Sequence, residues 1–385
     1  MSYFANRAFN LVYLHAGLQA FASYGGEAFA FVYLLKAGIS APVVLLAIGA
    51  MFGSRMLFRM LVLPLVKRMG LRRTLVFAIL AEAATYPILS QVTGTGPLLL
   101  GYLALWAFSS SLYWTTYHSY VAMLGDNHLR GAQTSAVEMI GMVMGIAAPA
   151  VTGLLLTVFS PLVAFGVVGV AMAASTLPVL LGPDPQVADE AEMPRETKRA
   201  AWAILFADGL RTGAFHFTWL IALFITLGSS FAAFGGAMAL TGLAGALAGL
   251  FLGRAIDLGK GLGAVRIGLA ALTVAAVARV VGYPVPVWAL AANVAAALAW
   301  PLYATAFNAR VYTLARQSPC ALRFHIVAEG GWDMGTALAC VAAAGLLQAG
   351  FSYYLPLSIG VLGCALVYLT LARTFEAPGG VFNAE

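Results

Sequence analysis

Asp208, Arg211 and His216 stand together in a stretch of sequence that is otherwise almost uncharged. Three residues apart on a helix, Asp208 and Arg211 share a face and can neutralise each other. A guanidinium released from that pair would instead grip a carboxylate or phosphate through two parallel hydrogen bonds. Glu329 and Asp333 are one helical turn apart, and Glu138 precedes Glu329 by nearly the same interval that relates other paired segments of the chain. Carboxylic acids in a low-dielectric interior hold protons more readily than in water, so these three acids are candidates for taking up and releasing a proton. The competing reading is a structural network in which Glu329 faces Arg310 and Glu138 faces His118. A third group is aromatic. Tyr113 and Tyr117, and likewise Trp114 and His118, are spaced by four, so on a helix they form a wall able to stack an organic molecule or meet a cation. The same residues would also serve as anchors at a membrane interface.

The elements that carry these groups follow from composition. Of the 385 residues, 62% are apolar and only 9% charged, with a mean hydropathy of +0.90. A soluble domain averages about 25% charged residues because its surface must be hydrated. Spanning the roughly 30 Å hydrocarbon core takes about 20 helical residues. In lipid every backbone amide must be bonded internally, and the runs here are too long and too uniform for barrel strands. The sequence predicts an all-α membrane protein with twelve transmembrane helices, at about 8–35, 41–65, 74–93, 97–122, 132–158, 161–182, 200–227, 230–252, 264–282, 285–312, 324–348 and 351–372.

Basic loops stay cytoplasmic. Arg7, Lys67, Arg68, Arg72, Arg73, Arg130, Arg195, Lys198, Arg199, Arg254, Lys260, Arg266, Arg310, Arg316, Arg323 and Arg373 all fall on one side of those spans, against Lys36 and Arg279 on the other. Both termini are therefore expected in the cytoplasm, with the protein in the inner cell membrane. The net charge of +6 is this bias, able to rest against anionic lipid, and gives no reason to expect nucleic acid. No cleaved signal peptide is expected, because the first apolar run begins by about residue 8 and is too long for one. Cys320, Cys340 and Cys364 form no metal-ligand spacing, and no phosphate-binding loop or nucleophile–base set is visible, so neither a cofactor, a bound metal nor an enzyme is expected.

The second half echoes the first. Leu112 to His118 reappears as Leu302 to Asn308, 190 residues on, and at that offset Gly38 meets Gly228, Ser40 meets Ser230 and Gly145 meets Gly335. Two related six-helix halves are the mark of a pseudo-symmetric secondary transporter. The polar, proline-containing stretch at 183–199 reads as a cytoplasmic linker between halves at 1–182 and 200–385. Arg55, Arg59 and Glu82 read as a structural charge set. Gly25-Gly26-Glu27 and Glu329-Gly330-Gly331 permit either a kink beside a site or close helix packing.

Leu65 to Arg73 carries the leucine, Arg68, Gly70 and basic end of the G-x-L-a-D-R-x-G-R-R pattern, with Leu63 and Lys67 at the glycine and aspartate positions. The matching loop of the second half keeps Gly253 and Asp257. On these residues the whole chain resembles the major facilitator superfamily. The resemblance implies a conformational loop built from Arg68, Gly70, Gly253 and Asp257, whose missing first-half aspartate weakens a charge clamp. It also implies that the first, fourth, seventh and tenth helices line a central cavity. Substrate contact then falls on Tyr113, Tyr117, His118, Arg211, His216, Tyr303 and Asn308, and proton coupling on Glu138, Glu329 and Asp333. The expected function is secondary active transport of a small organic solute, anionic or amphipathic, by a monomer in the lipid bilayer through alternating access. The alternatives are a transport fold with a sensing or assembly role, and a copper-like metal carrier suggested by Met139, Met142 and Met144.

Overall fold

The computed structural model describes residues 6–124, 130–186, 193–256, 262–318 and 320–376. Among them every regular element is helical, and eight helices are long and apolar enough to cross a membrane. Leu57, Leu100, Leu154, Val170, Leu181, Val274, Trp288 and Leu362 are all more than half exposed, so large apolar side chains cover the outside. In water such a surface would aggregate; in a bilayer it is the solvated one.

The chain divides into two compact units. One comprises Met1–Ser40, Ser54–Val187 and Leu227–Ala246, the other Ala41–Gly53, Ala188–Thr226 and Leu247–Glu385. In the first unit Arg7–Ala22 packs against Arg130–Val158 and Pro161–Ala174, and Leu71–Ala83 packs against Pro97–Leu124. In the second, Arg195–Thr212 packs against Ala321–Gln348 and Tyr354–Glu376, and Leu262–Gly282 packs against Pro286–Gln317. Each seam of one unit has its counterpart in the other about 190 residues away, so the repeat seen in sequence is a repeat of packing.

The backbone carries the repeat in finer detail. Arg7–Ala22 continues into Ala28–Lys36 through a π-helical turn at Ser23–Glu27, and Arg195–Thr212 continues into Trp219–Thr226 through one at Gly213–Thr218. Gly38 and Gly228, which follow these helices, have φ of +85° and +72°, a region that favours glycine because it has no Cβ. A π turn widens the helix by one residue and frees a carbonyl from the regular ladder. In a membrane interior that carbonyl needs another donor. Gly25 and Gly26 lie in the first such turn, whereas Gly330 and Gly331 lie in an unbroken helix. Gly25 and Gly26 thus combine the distortion with close packing against Thr152 and Tyr86, whereas in the second pair Gly331 alone packs closely, against Trp202.

Candidate functional site

The two tyrosines of the repeated segment do equivalent work in their own units. Tyr113 is fully buried, and its hydroxyl meets His15 Nε2 at 2.9 Å. His15 Nδ1 lies 2.8 Å from the Ser175 carbonyl, which can only accept. A neutral imidazole whose Nδ1 donates leaves Nε2 as the acceptor, so Tyr113 donates to His15. Tyr303, 3% exposed, donates in the same way to Asp208 Oδ1. Tyr113 therefore ties its long helix to Arg7–Ala22, and Tyr303 ties its own to Arg195–Thr212, the helices that open the two repeats. Tyr117 stacks on Tyr113 at 5.4 Å and packs 5.5 Å from His15, while His118 is half-buried and lies 5.6 Å from Trp114. Asn308 is half-buried on the helix Pro286–Gln317.

Asp208 is a hub. Its Oδ1 accepts from Arg211 Nε at 2.9 Å and Nη2 at 2.8 Å as well as from Tyr303, and its Oδ2 accepts from Trp332 Nε1 at 3.1 Å. Arg211 is 2% exposed, donates also to Thr212 Oγ1 at 2.9 Å, and lies over the rings of Tyr303 and Trp300 at 4.9 and 5.5 Å. Of the two readings open in the sequence, the geometry is that of the internal pair. His216, in the π turn, is exposed.

Arg279 is the residue that sequence reasoning passed over, since it looked like an outer-loop charge. It is buried, donates to the Phe215 carbonyl and, at 2.9 Å, to Asn293 Oδ1, and lies 4.1 Å over Phe215 and 4.9 Å over Trp219. Trp219 Nε1 donates to the same Asn293 oxygen at 2.7 Å. Phe215 belongs to the second π turn, so Arg279 supplies a donor for a carbonyl there. In the first unit Tyr86 donates at 3.3 Å to the carbonyl of Ala22, the residue just before the π turn. Only the long-range contact could have revealed this role.

The acids sit as follows. Asp333 is fully buried and Glu329 half-buried, on one face of Ala321–Gln348 with His325, which is 6% exposed. Glu138 lies on Arg130–Val158, with its side chain outside the described residues. Arg310 donates to Thr374 through Nε at 3.0 Å and through Nη2 to its carbonyl. In the first unit Glu27, Glu82 and Arg55 lie close enough to act on one another's charge, and Arg59 Nη1 donates to Thr115 Oγ1 at 2.8 Å. The charge set therefore includes Glu27 as well as the residues expected. Among the described residues no three His, Cys, Asp or Glu side chains gather closely enough to hold a metal ion.

The loop after Met69 is fastened from an unexpected place. Gly70 ends the helix Val62–Met69, Arg68 is exposed, and Asp184 Oδ1 accepts the Arg72 amide at 3.0 Å. Arg72 Nη1 donates to the Gly182 carbonyl at 2.7 Å. Lys67 stands where the family pattern has an aspartate, yet a carboxylate still reaches this loop, from the end of the helix Thr176–Leu181. Gly253 lies in Phe231–Ile256, and Asp257 lies outside the described residues.

Solved structures of the same fold are numerous. A POT family transporter in complex with 5-aminolevulinic acid superposes with a TM-score of 0.74 at 11% identity, covering 97% of both chains. A POT family transporter in complex with a thioalcohol-conjugated peptide gives 0.72 at 11%, covering 96% of this chain and 97% of that one. The peptide transporter POT in complex with sulfate gives 0.68 at 15%, covering 97% and 96%. No curated protein matches the sequence. The family model of the Major Facilitator Superfamily matches residues 16–322, most of the chain. With its helical membrane fold and its repeated seams, the chain belongs to the Major Facilitator Superfamily, whose members are membrane transporters and not enzymes.

Proposed function

We propose that this protein is a secondary active carrier of a small organic solute, anionic or amphipathic, driven by protons. The observation that carries the reading is the repeat itself: equivalent seams, π turns and tyrosine ties in two units, on a chain of a transporter family. Alternating access uses such a repeat, because two similar units can exchange conformations. We read the helices as twelve spans, taking the pieces on either side of each π turn, of Met60 and Leu61, of Ala84 and of Ser175 as one span each, in halves at 1–182 and 200–385 joined by a linker at 183–199. The charge bias puts both termini in the cytoplasm and the protein in the inner membrane. Reporter fusions at Asp189 and at Glu385 should both read cytoplasmic; an external signal from either would overturn this orientation.

Tyr117, His118, His216 and Asn308 contact the solute in this reading. Tyr113, Arg211 and Tyr303 act through the rigid wall they build. Arg68 and Gly70 in the first half, and Gly253 and Asp257 in the second, belong to the two conformational loops. The protein works as a monomer in the bilayer. Glu138, Glu329 and Asp333 carry the proton, because ionisable groups at a helix centre cost about 2.5–3.5 kcal/mol on insertion scales and need a partner or a role.

The test begins with a thermal-shift screen of purified protein against metabolites, with 5-aminolevulinic acid and dialanine included, since a ligand that binds the folded state raises its melting temperature. The solute found is then followed in proteoliposomes. Wild-type protein should show counterflow and pH-gradient-driven accumulation. The Glu138→Gln/Glu329→Gln variant should keep counterflow and lose accumulation by at least about tenfold, because amides cannot bind the coupled proton. Full accumulation in that variant would remove both acids from coupling, and absence of counterflow in wild type would remove the carrier reading.

A further inference from the structure

We propose that Arg279, with His216 beside it, is an anion-recognition site of the second unit and takes an organic monoanion such as a carboxylate. Three observations carry this. First, the charge of Arg279 is uncompensated. Its partners are a backbone carbonyl, a neutral amide and two aromatic faces, and among the described residues no carboxylate pairs with it. Among the described residues the acid that acts on the neighbouring Arg211 is Asp208, whose carboxylate already receives Arg211, Tyr303 and Trp332. Second, Arg279 still has donors to give: Nε is buried with no hydrogen-bond partner, and a guanidinium has five N–H groups. Third, a full charge is not required for the structural task. At the entry to the first π turn the Ala22 carbonyl is met by the neutral hydroxyl of Tyr86, whereas a carbonyl within the second turn is met by a cation where a neutral donor would do.

An isolated buried cation is costly, and it becomes favourable once an anion arrives with it. Arg279 is 8% exposed, while the adjacent His216, which lies within reach of its charge, is exposed and gives the approach. A carboxylate there would accept from the guanidinium in the charge-assisted, forked geometry for which arginine is suited. The aromatic faces of Phe215 and Trp219 below the guanidinium hold its plane fixed. This places anion selection on Arg279 and leaves Arg211 as a structural partner of Asp208. It rests on the carrier reading only in treating the anion as the solute to be moved; binding is measured without transport.

The experiment uses the full chain purified in detergent, at constant ionic strength, with sodium benzoate as probe and benzamide as its neutral isostere. Thermal unfolding and tryptophan fluorescence report binding, since Trp219 lies under the guanidinium. Benzoate should raise the melting temperature saturably, and benzamide should not. Arg279→Gln should weaken the benzoate response at least about tenfold, because a charge-assisted fork is lost. The second variant is Asn293→Asp, which sets a carboxylate of the same shape against Nη2. It should fold at least as well as wild type and abolish the benzoate response, because the site then holds its own anion. An unchanged benzoate response in Asn293→Asp, equal effects of benzoate and benzamide, or no benzoate effect on wild type would each overturn the site. Failure of the carrier reading would show separately, as missing counterflow in proteoliposomes with benzoate binding intact.

Discussion

Asp208→Ala should unfold the second unit at a markedly lower temperature than wild type, with a loss of about 3–5 kcal/mol. The change removes one carboxylate that four donor groups share: Arg211 Nε and Nη2, the Tyr303 hydroxyl and Trp332 Nε1. Arg211 would remain as a buried charge without its counter-ion, with Arg279 near enough to repel it. Each abandoned neutral donor adds about 1 kcal/mol. The double variant Asp208→Leu/Arg211→Met should recover most of the stability, because two apolar side chains of similar volume need no partners. Melting temperatures and the monodisperse fraction in detergent measure both. An Asp208→Ala protein that melts with wild type would show that the hub contributes nothing. Were Arg211 the anion receptor, Asp208→Asn would instead tighten anion binding, so an unchanged benzoate affinity in that variant separates the two roles.

The second large effect lies in the seam between Arg195–Thr212 and Ala321–Gln348. Gly331 faces Trp202 and Phe206 so closely that an added Cβ would overlap the Trp202 carbonyl oxygen and come within 3.2 Å of the Phe206 amide nitrogen. Gly335 meets Phe206 and the Leu210 amide nitrogen in the same way, the latter at 2.7 Å. Backbone cannot move aside as a flexible side chain can. Gly331→Ala and Gly335→Ala should each cost about 1–3 kcal/mol, and Gly335→Leu should abolish folded protein. Gly330 is the control. A Cβ there meets nothing within 4 Å, so Gly330→Ala should be neutral or gain up to about 1 kcal/mol from helix propensity. Opposite signs at two adjacent glycines identify packing; equal signs would show that the seam is looser than described. Because Gly331 and Gly335 share one seam, their losses should not add.

Several features were legible in the residues alone because they are local or periodic. Long apolar runs specify membrane helices wherever water is absent, since each helix satisfies its own backbone. The offset of 190 residues placed Tyr113 opposite Tyr303 and Gly38 opposite Gly228, and the structure gives each pair the same task. Asp208 and Arg211, a single turn apart, could be paired from spacing. The choice between pairing and anion binding could not, because it depends on Tyr303 and Trp332, which reach Asp208 from about a hundred residues away. The same limit hid Arg279, whose partner Phe215 lies 64 residues earlier, and Asp184, which reaches Arg72 across 112. In a soluble helix the apolar stripe tells which face is buried. In lipid both faces are apolar, so the sequence shows that a polar side chain must find a partner and not which helix supplies it. Sequence by itself therefore determined the solvent, the helices and their repeat. Only the tertiary structure decided that the Arg211 charge meets Asp208 together with Tyr303 and Trp332, and that Arg279 reaches the Phe215 carbonyl and Asn293.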